Sequence, residues 1–131
     1  MSKIEASVYQ SFRKALLPSF DVHRIENAAV AGTFDVALSN SNQTLWVELK
    51  RDYTERLRPS QLRWGMNRQK VGCDKDMWVV YPSYDDDWQI LDFTQVLQAR
   101  GILRDVKVRP PALTGGAMRV FFEELCYDRN S

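Results

Sequence analysis

The sequence predicts an α/β fold with a mixed central β-sheet flanked by helices. Two apolar segments, residues 31–38 and 44–49, are separated by the polar residues 39–43, a pattern typical of an antiparallel hairpin. A strand, a helix and a second strand then follow in residues 44–81, which predicts a parallel βαβ crossover. Antiparallel and parallel neighbours in one sheet make the predicted sheet mixed.

The chain opens with a predicted helix from Lys3 to Leu17, which Pro18 ends. Its apolar residues recur at spacings of three and four, as on one face of a helix: Ile4, Val8, Phe12, Ala15 and Leu16. Glu5 lies in the first turn, where a favourable interaction with the helix dipole is the ordinary explanation for a carboxylate. Residues 21–25 form the first predicted strand, before the hairpin.

A second helix is predicted from Pro59 to Val71, ending at Gly72. Proline favours the first turn of a helix, and Ser60 can cap free backbone amides there. Residues 77–81 form a short continuous apolar run, which predicts a strand buried on both faces. We therefore expect residues 44–49 and 77–81 to be parallel neighbours.

The remaining residues predict an edge strand at 88–93 and a short helix at 94–100 that ends at Gly101. The acidic residues 85–87 are more typical of a solvated loop than of a metal site. Prolines and glycines predict an irregular connection before a last apolar run at 119–125: Pro110, Pro111, Gly115 and Gly116. We expect one domain over residues 1–131, with a core at about 3–81 and a C-terminal elaboration at about 82–131.

Composition favours a soluble globular protein, since 44% of the 131 residues are hydrophobic and 27% are charged. No apolar run reaches the length of a membrane span, and the N-terminus lacks the apolar core of a signal peptide. We therefore expect an intracellular protein in which Cys73 and Cys126 are free thiols. The single histidine, His23, excludes a multi-histidine metal site. Its own role is more typically structural than catalytic.

Three charged residues on the predicted hairpin suggest a site. Side chains alternate along a strand, so Glu48 and Lys50 point the same way, and a hairpin of this length brings Asp35 across from Glu48. Strands that are otherwise apolar do not normally carry three such charges. The alternative is an exposed cross-strand salt bridge. The spacing alone is weak evidence, because Asp105 and Lys107 repeat it.

A basic patch follows the charged strand, although the whole chain has a net charge of only +1. Residues 50–70 contain seven basic side chains and two acidic ones. Such a patch predicts contact with a phosphate backbone, and a solvated helix face is the alternative. The candidate DNA-binding residues are Arg51, Arg56, Arg58, Arg63 and Arg68.

Three segments resemble the virus-type replication-repair nuclease (VRR-NUC) domain, a branch of the PD-(D/E)XK nuclease superfamily, and especially its small stand-alone phage members. They are residues 24–36, RIENAAVAGTFDV, residues 45–50, LWVELK, and residues 57–64, LRPSQLRW. The resemblance covers about residues 3–81 in the family's order. It implies a restriction-endonuclease-like core and a metal-dependent DNA endonuclease. Phe34 departs from the family, which usually has proline before the motif aspartate.

The resemblance implies roles for individual residues. Asp35 corresponds to the motif aspartate, Glu48 and Lys50 to the motif glutamate and lysine, and Gln61 to the glutamine of the following helix. Two further acids correspond to candidate metal ligands. Glu26 lies just before the hairpin, and Glu5 lies farther away, in the first helix. For Gln61 an ordinary surface position on the helix is an alternative.

Phosphodiester hydrolysis would use these residues in distinct ways. Asp35, Glu48 and the Leu49 backbone carbonyl offer hard oxygen ligands to Mg²⁺ or Mn²⁺, which would acidify a bound water and clamp the phosphate. Lys50 would orient the attacking water or stabilise the phosphorane, and Gln61 would hydrogen-bond a water or a phosphate.

We therefore expect a divalent-metal-dependent endodeoxyribonuclease. Resemblance to junction-cleaving phage nucleases further implies a homodimer that is selective for Holliday junctions or other branched DNA, in the cytoplasm of a bacterial host if the protein is phage-encoded. Two alternatives belong to other classes. One is a nuclease-fold protein that binds nucleic acid or a protein partner without cleaving, and the other is a phage structural or accessory factor with no DNA role. The set of Asp35, Glu48 and Lys50 favours the nuclease.

Overall fold

The computed structural model describes residues 3–25, 30–73 and 75–130. These residues form four α-helices and five β-strands, with two short 3₁₀ helices at Tyr84–Asp86 and Leu103–Asp105. In chain order the elements are α1 (Lys3–Leu16), β1 (Asp21–Arg24), β2 (Val36–Ser39), β3 (Thr44–Leu49), α2 (Pro59–Lys70), β4 (Met77–Pro82), β5 (Trp88–Asp92), α3 (Phe93–Gln98) and α4 (Gly115–Asn130).

The five strands form one mixed sheet in the order β1-β2-β3-β4-β5. β1 with β2, β2 with β3 and β4 with β5 are antiparallel, whereas β3 and β4 are parallel neighbours with Glu48 opposite Val79. The hairpin and the βαβ crossover therefore both form as the sequence predicts, and β5 is an edge strand. The predicted fold class, a mixed sheet flanked by helices, is confirmed.

Helices cover both faces of the sheet because side chains alternate along each strand. Leu45 and Val47 of β3 belong to a core that contains residues of α1 and α4, such as Phe12 and Phe122. Trp46 lies on the opposite face, against a second core that includes Phe93 of α3. The alternation places Glu48 on the same face as Trp46, the face that α2 and α3 cover.

The first hairpin strand is shorter than predicted. β2 begins at Val36, not near residue 31, because residues 30–35 form a turn. Gly32 has φ +86°, and a Cβ on this residue would lie 2.1 Å from the Ser60 carbonyl oxygen. Glycine therefore allows the turn to lie directly against the first turn of α2.

The C-terminal glycines do not belong to an irregular connection, as predicted, but to the first turn of α4. Thr114 precedes the helix, and its hydroxyl accepts a hydrogen bond from the Ala117 amide at 3.1 Å, while its carbonyl accepts one from the Met118 amide at 2.8 Å. A Cβ on Gly115 would lie 3.2 Å from the Ala15 Cβ, so glycine lets α4 approach α1 closely. Packing between the helices outweighs the low helix propensity of glycine.

No helix in the described part of the chain is long and apolar enough to cross a membrane.

Candidate active site

Three charged side chains meet at the carboxyl end of β3. The Asp35 amide donates a hydrogen bond to Glu48 Oε1 at 3.1 Å, and Lys50 Nζ lies 3.3 Å from Glu48 Oε2. The Glu48 and Lys50 side chains are only 7% and 11% exposed. Such burial disfavours the alternative of an exposed cross-strand salt bridge. The two acids and the lysine form the compact charged cluster that the hairpin pattern predicts.

Asp35 is held by hydrogen bonds although it precedes β2. Its carbonyl accepts a hydrogen bond from the Ile25 amide at 2.7 Å, and its Oδ1 accepts one from the Leu49 amide at 3.1 Å. The Lys50 amide donates to the Val80 carbonyl at 2.9 Å, which continues the parallel pairing of β3 with β4 beyond Leu49. Backbone bonds from three strands therefore determine where the charged side chains lie.

The cluster concentrates negative charge in a poorly solvated position. Burial first, and then repulsion from Glu48, raise the pKa of Asp35 to about 8, although the Leu49 amide and the Lys50 ammonium act in the opposite direction. A proton or a cation relieves repulsion of this kind between neighbouring carboxylates. The arrangement is therefore suited to bind a positively charged ion between Asp35 and Glu48.

The cluster lies at the base of an open cleft of about 540 Å³. The wall of this cleft includes residues of α1, the end of β1, the loop after β3 and the start of α2. Five basic and three acidic residues line it, so positive charge predominates. They are Arg24, Lys50, Arg51, Arg56 and Arg58 on one hand, and Asp35, Glu48 and Glu55 on the other.

The five arginines predicted to bind DNA occupy different environments. Arg51, Arg56 and Arg58 line the cleft, whereas Arg63 and Arg68 lie outside it. The Arg68 guanidinium forms an ion pair with Asp76. It also lies over the rings of two tryptophans of the core, 5.7 Å from Trp46 and 5.2 Å from Trp64. These contacts give Arg68 a structural part in the packing of α2 on the sheet.

Gln61 is buried beside the cleft and is not an ordinary surface residue of the helix, since it is 1% exposed. Its Oε1 accepts a hydrogen bond from the Arg58 amide at 2.9 Å, so that Gln61 caps the first turn of α2. The predicted cap, Ser60, is not the residue that supplies this acceptor. A glutamine at the third position of a helix is typical of such capping, so the sequence contained the pattern that predicts it.

Phe34, the residue before Asp35, is fully buried. Its ring packs 4.9 Å from that of Trp64 and 6.1 Å from that of Phe93, measured between centroids. Phe34 therefore anchors the turn to α2 and α3. The backbone then leads directly into Asp35.

The structure does not describe the two further candidate ligands. Glu26 lies outside the described residues, and the side chain of Glu5, in α1, is also outside them. Among the residues that the structure describes, no group of three or more histidine, cysteine, aspartate or glutamate side chains forms a metal site. A metal at the described residues would therefore depend on two carboxylates, together with backbone oxygen and water.

Several residues of the cleft were not singled out by sequence reasoning. Tyr9, Arg24 and Thr33 line it, as does Glu55, whose Oε1 lies 3.4 Å from Arg51 Nε. Arg24 ends β1 and is the first residue of the segment 24–36 that resembles nuclease sequences, so its position could have pointed to the cleft. Tyr9 lies in α1 next to Val8 of the apolar stripe, and no sequence pattern pointed to its place in the cleft.

No family model matches the chain, and no curated protein matches it. The structure of Hjc, a Holliday junction resolvase from the archaeal hyperthermophile Archaeoglobus fulgidus, resembles this protein with a TM-score of 0.49 at 16% sequence identity. The alignment covers 71% of this chain and 77% of Hjc.

Proposed function

We propose that this protein is a divalent-metal-dependent DNA endonuclease of the VRR-NUC type, within the PD-(D/E)XK superfamily. The observation that carries the proposal is the convergence of Asp35, Glu48 and Lys50 at the carboxyl end of β3, in a cleft lined mainly by basic residues. This combination of oxygen ligands, an adjacent cation and a basic cleft suits the hydrolysis of a phosphodiester.

The donor set fits a hard divalent cation. Asp35 and Glu48 supply carboxylate oxygens. Burial, and after it repulsion from Glu48, raise the pKa of Asp35, and a bound cation would offset both effects. Mg²⁺ commonly uses one or two carboxylates and keeps several waters. Asp35, Glu48 and the Leu49 carbonyl would hold Mg²⁺ or Mn²⁺, with Glu26 and then Glu5 as further candidates. When bound, such an ion supplies positive charge that acidifies water and neutralises the phosphate.

Lys50 provides a fixed positive charge beside the two acids. Its ammonium lies 3.3 Å from Glu48 and is largely shielded from solvent, which strengthens its field within the cleft. We assign Lys50 to orienting the attacking water or stabilising the charge that develops on the phosphate. Because Glu48 holds the ammonium in place, little reorganisation is needed when substrate binds.

Gln61 and the cleft arginines would position the DNA. The Gln61 carbonyl oxygen is engaged by the Arg58 amide, which leaves its NH₂ group to donate to a phosphate or a water. Arg51, Arg56 and Arg58 surround the charged cluster and would contact phosphates on either side of the cleaved bond. Arg63 would extend this surface along the exposed side of α2.

Selectivity for branched DNA and assembly as a homodimer complete the proposal. Both rest on the resemblance of residues 24–36, 45–50 and 57–64 to small phage nucleases. A symmetric dimer would present two clefts to one branched DNA. The alternative, a nuclease-fold protein that binds DNA or a protein without cleaving it, makes no use of the carboxylate pair.

Incubation of the purified protein with plasmid and four-way-junction DNA, in Mg²⁺, Mn²⁺ or EDTA, tests the proposal. We expect metal-dependent cleavage by the wild type that is lost in Glu48→Ala and Lys50→Ala. The matched controls are Asp105→Ala and Lys107→Ala, which change an exposed acid and lysine of the same spacing. If the wild type and all variants bind every DNA without cutting it, the binding-only alternative is correct.

A further inference from the structure

A second recess lies beside the cleft and is lined by aromatic side chains. It has a volume of about 490 Å³, and its wall includes Tyr53, Tyr81, Tyr84, Gln89 and Arg109. We call it the tyrosine pocket. Its size falls within the range of small-ligand sites. None of these residues is used by the proposed chemistry.

The loop after β3 separates the tyrosine pocket from the cleft. Arg51, Glu55 and Arg56 of this loop line the cleft, whereas Asp52 and Tyr53 line the tyrosine pocket. Hydrogen bonds within the loop hold this arrangement: the Arg51 amide donates to Glu55 at 2.5 Å, and the Thr54 amide donates to Asp52 at 2.8 Å. One ordered loop therefore contributes to both recesses.

The parallel pairing of β3 and β4 places both recesses at the same edge of the sheet. Lys50 follows β3 and donates its backbone N–H to Val80 of β4, and Tyr81 is the next residue. Tyr81 and Glu48 also lie on the same face, since Glu48 is opposite Val79 and side chains alternate. A DNA strand whose phosphate lies at Glu48 would pass close to the tyrosine pocket.

The exposed rings of the pocket are available to a ligand. Tyr84 is 85% exposed and Tyr53 is 47% exposed, whereas Tyr81 is buried at the base. The Arg109 guanidinium lies 6.0 Å from the centroid of the Tyr53 ring and donates to the Leu103 carbonyl at 3.0 Å, which fixes it at the rim. Aromatic rings and a planar guanidinium are the groups on which an unpaired base stacks.

The base of the pocket also offers polar groups. Gln89 is 8% exposed, and its Nε2 donates to the Pro110 carbonyl at 2.7 Å, so its amide oxygen is left to accept a hydrogen bond from a ligand. Burial raises the pKa of Tyr81 above its ordinary value, so the hydroxyl stays protonated and is available as a donor. A ligand with a flat apolar face and a polar edge suits these walls.

Resting on the proposed nuclease function, we infer that the tyrosine pocket receives an unpaired nucleobase of the DNA strand that occupies the cleft. The preferred substrate would then carry at least one unpaired nucleotide next to the cleaved bond, as at a fork, a flap or an open branch point. Stacking on Tyr53 and Tyr84 would supply affinity with little dependence on the identity of the base.

The test compares binding of forked DNA with binding of fully paired DNA in EDTA, so that no cleavage is needed. The fork carries 2-aminopurine at its first unpaired position, and fluorescence quenching reports stacking of that base. For the Tyr53→Ala/Tyr84→Ala double variant we expect fork affinity to fall about tenfold, with quenching lost and duplex affinity unchanged. Tyr127→Ala is the matched control, because Tyr127 is 71% exposed on α4 and lies outside the pocket.

Each outcome decides a different point. Equal loss of fork and duplex binding, or no loss at all, overturns the base-binding role. Fork binding with quenching that depends on the two tyrosines, in a protein that cuts no DNA, supports the pocket and contradicts the nuclease proposal. If the double variant binds forks normally and still cleaves duplex DNA, the nuclease proposal is supported and the base-binding role of the pocket is contradicted. A wild type that binds no DNA contradicts both.

Discussion

The Asp35 amide donates to Glu48 Oε1 at 3.1 Å, which ties the residue before β2 to the end of β3. This hydrogen bond joins residues on the two arms of the hairpin and places their side chains on one side of the sheet. The two carboxylates are therefore brought together by backbone geometry. A folded protein without a bound cation must bear their mutual repulsion.

Metal binding should depend on both carboxylates. We expect Asp35→Asn and Glu48→Gln to weaken Mn²⁺ binding and to lower the cleavage rate by at least about 100-fold, since each removes a charged oxygen ligand while nearly preserving shape. Titration calorimetry and a plasmid assay measure these effects. Asp105→Asn is the control and should change neither. Unaltered Mn²⁺ affinity in both site variants would place the metal elsewhere.

Ionisation of Asp35 should lower the free energy of unfolding in EDTA as the pH rises from about 4 to 8. The pKa of Asp35 is raised to about 8 in the folded protein, mainly by burial. The folded protein therefore binds the Asp35 proton more tightly than the unfolded chain does. The contribution is fully present below the unfolded pKa and is lost as the pH passes the folded pKa. Asp35→Asn should therefore gain stability relative to the wild type between pH 5 and pH 9.

Urea denaturation of both proteins at pH 5, 7 and 9 in EDTA measures this difference. Comparison with Asp35→Asn removes the contributions of other titrating groups. Addition of Mn²⁺ at pH 9 should stabilise the wild type more than the variant, because the ion binds the folded state. A stability difference that does not change with pH would show that Asp35 titrates normally.

Gly32→Ala should destabilise the protein by about 3 kcal/mol and disturb the site. The added Cβ would lie 2.1 Å from the Ser60 carbonyl, and φ is +86° at this position. The turn would have to move away from α2, and Asp35 is only three residues away. Gly116→Ala is the control, since nothing lies within 4 Å of a Cβ at that position in α4. Equal melting temperatures of the two variants would contradict the close packing.

Arg58→Ala and Arg68→Ala should separate DNA binding from stability. Arg58 is exposed on the cleft, so its loss should weaken DNA binding at low salt, reduce the salt dependence, and leave the melting temperature nearly unchanged. Arg68 pairs with Asp76 and packs on two tryptophans, so its loss should cost about 2 kcal/mol of stability. Fluorescence anisotropy and thermal unfolding check the two effects. The reverse pattern would make Arg68 the DNA contact.

Local patterns predicted the scaffold of the site. Alternation along residues 44–49 predicted that Glu48 and Val47 lie on opposite faces of the sheet. The polar residues 39–43 predicted the hairpin that brings Asp35 near Glu48. The apolar run at 77–81 predicted the parallel neighbour. Each of these features was predicted from a pattern within a single strand or turn, where the side-chain period is visible.

Sequence reasoning treated the five arginines alike, because charge alone does not show which side of a helix meets the core. The Arg68 environment depends on Asp76 and Trp46, which only the folded sheet brings to it. Gln61 stays a predicted site residue, and its burial and its capping of α2 follow from how the helix start packs against the turn at Gly32.

By itself, the sequence determined the order of the elements, the mixed sheet and the strand that carries Glu48 and Lys50, because hydrophobic periodicity and turn residues act over short distances. Tertiary structure alone decided the burial of the charged cluster, the division of the arginines and the tyrosine pocket. Those features join residues far apart in the chain, such as Tyr53 and Arg109. Their contacts depend on how the layers pack, which no local pattern contains.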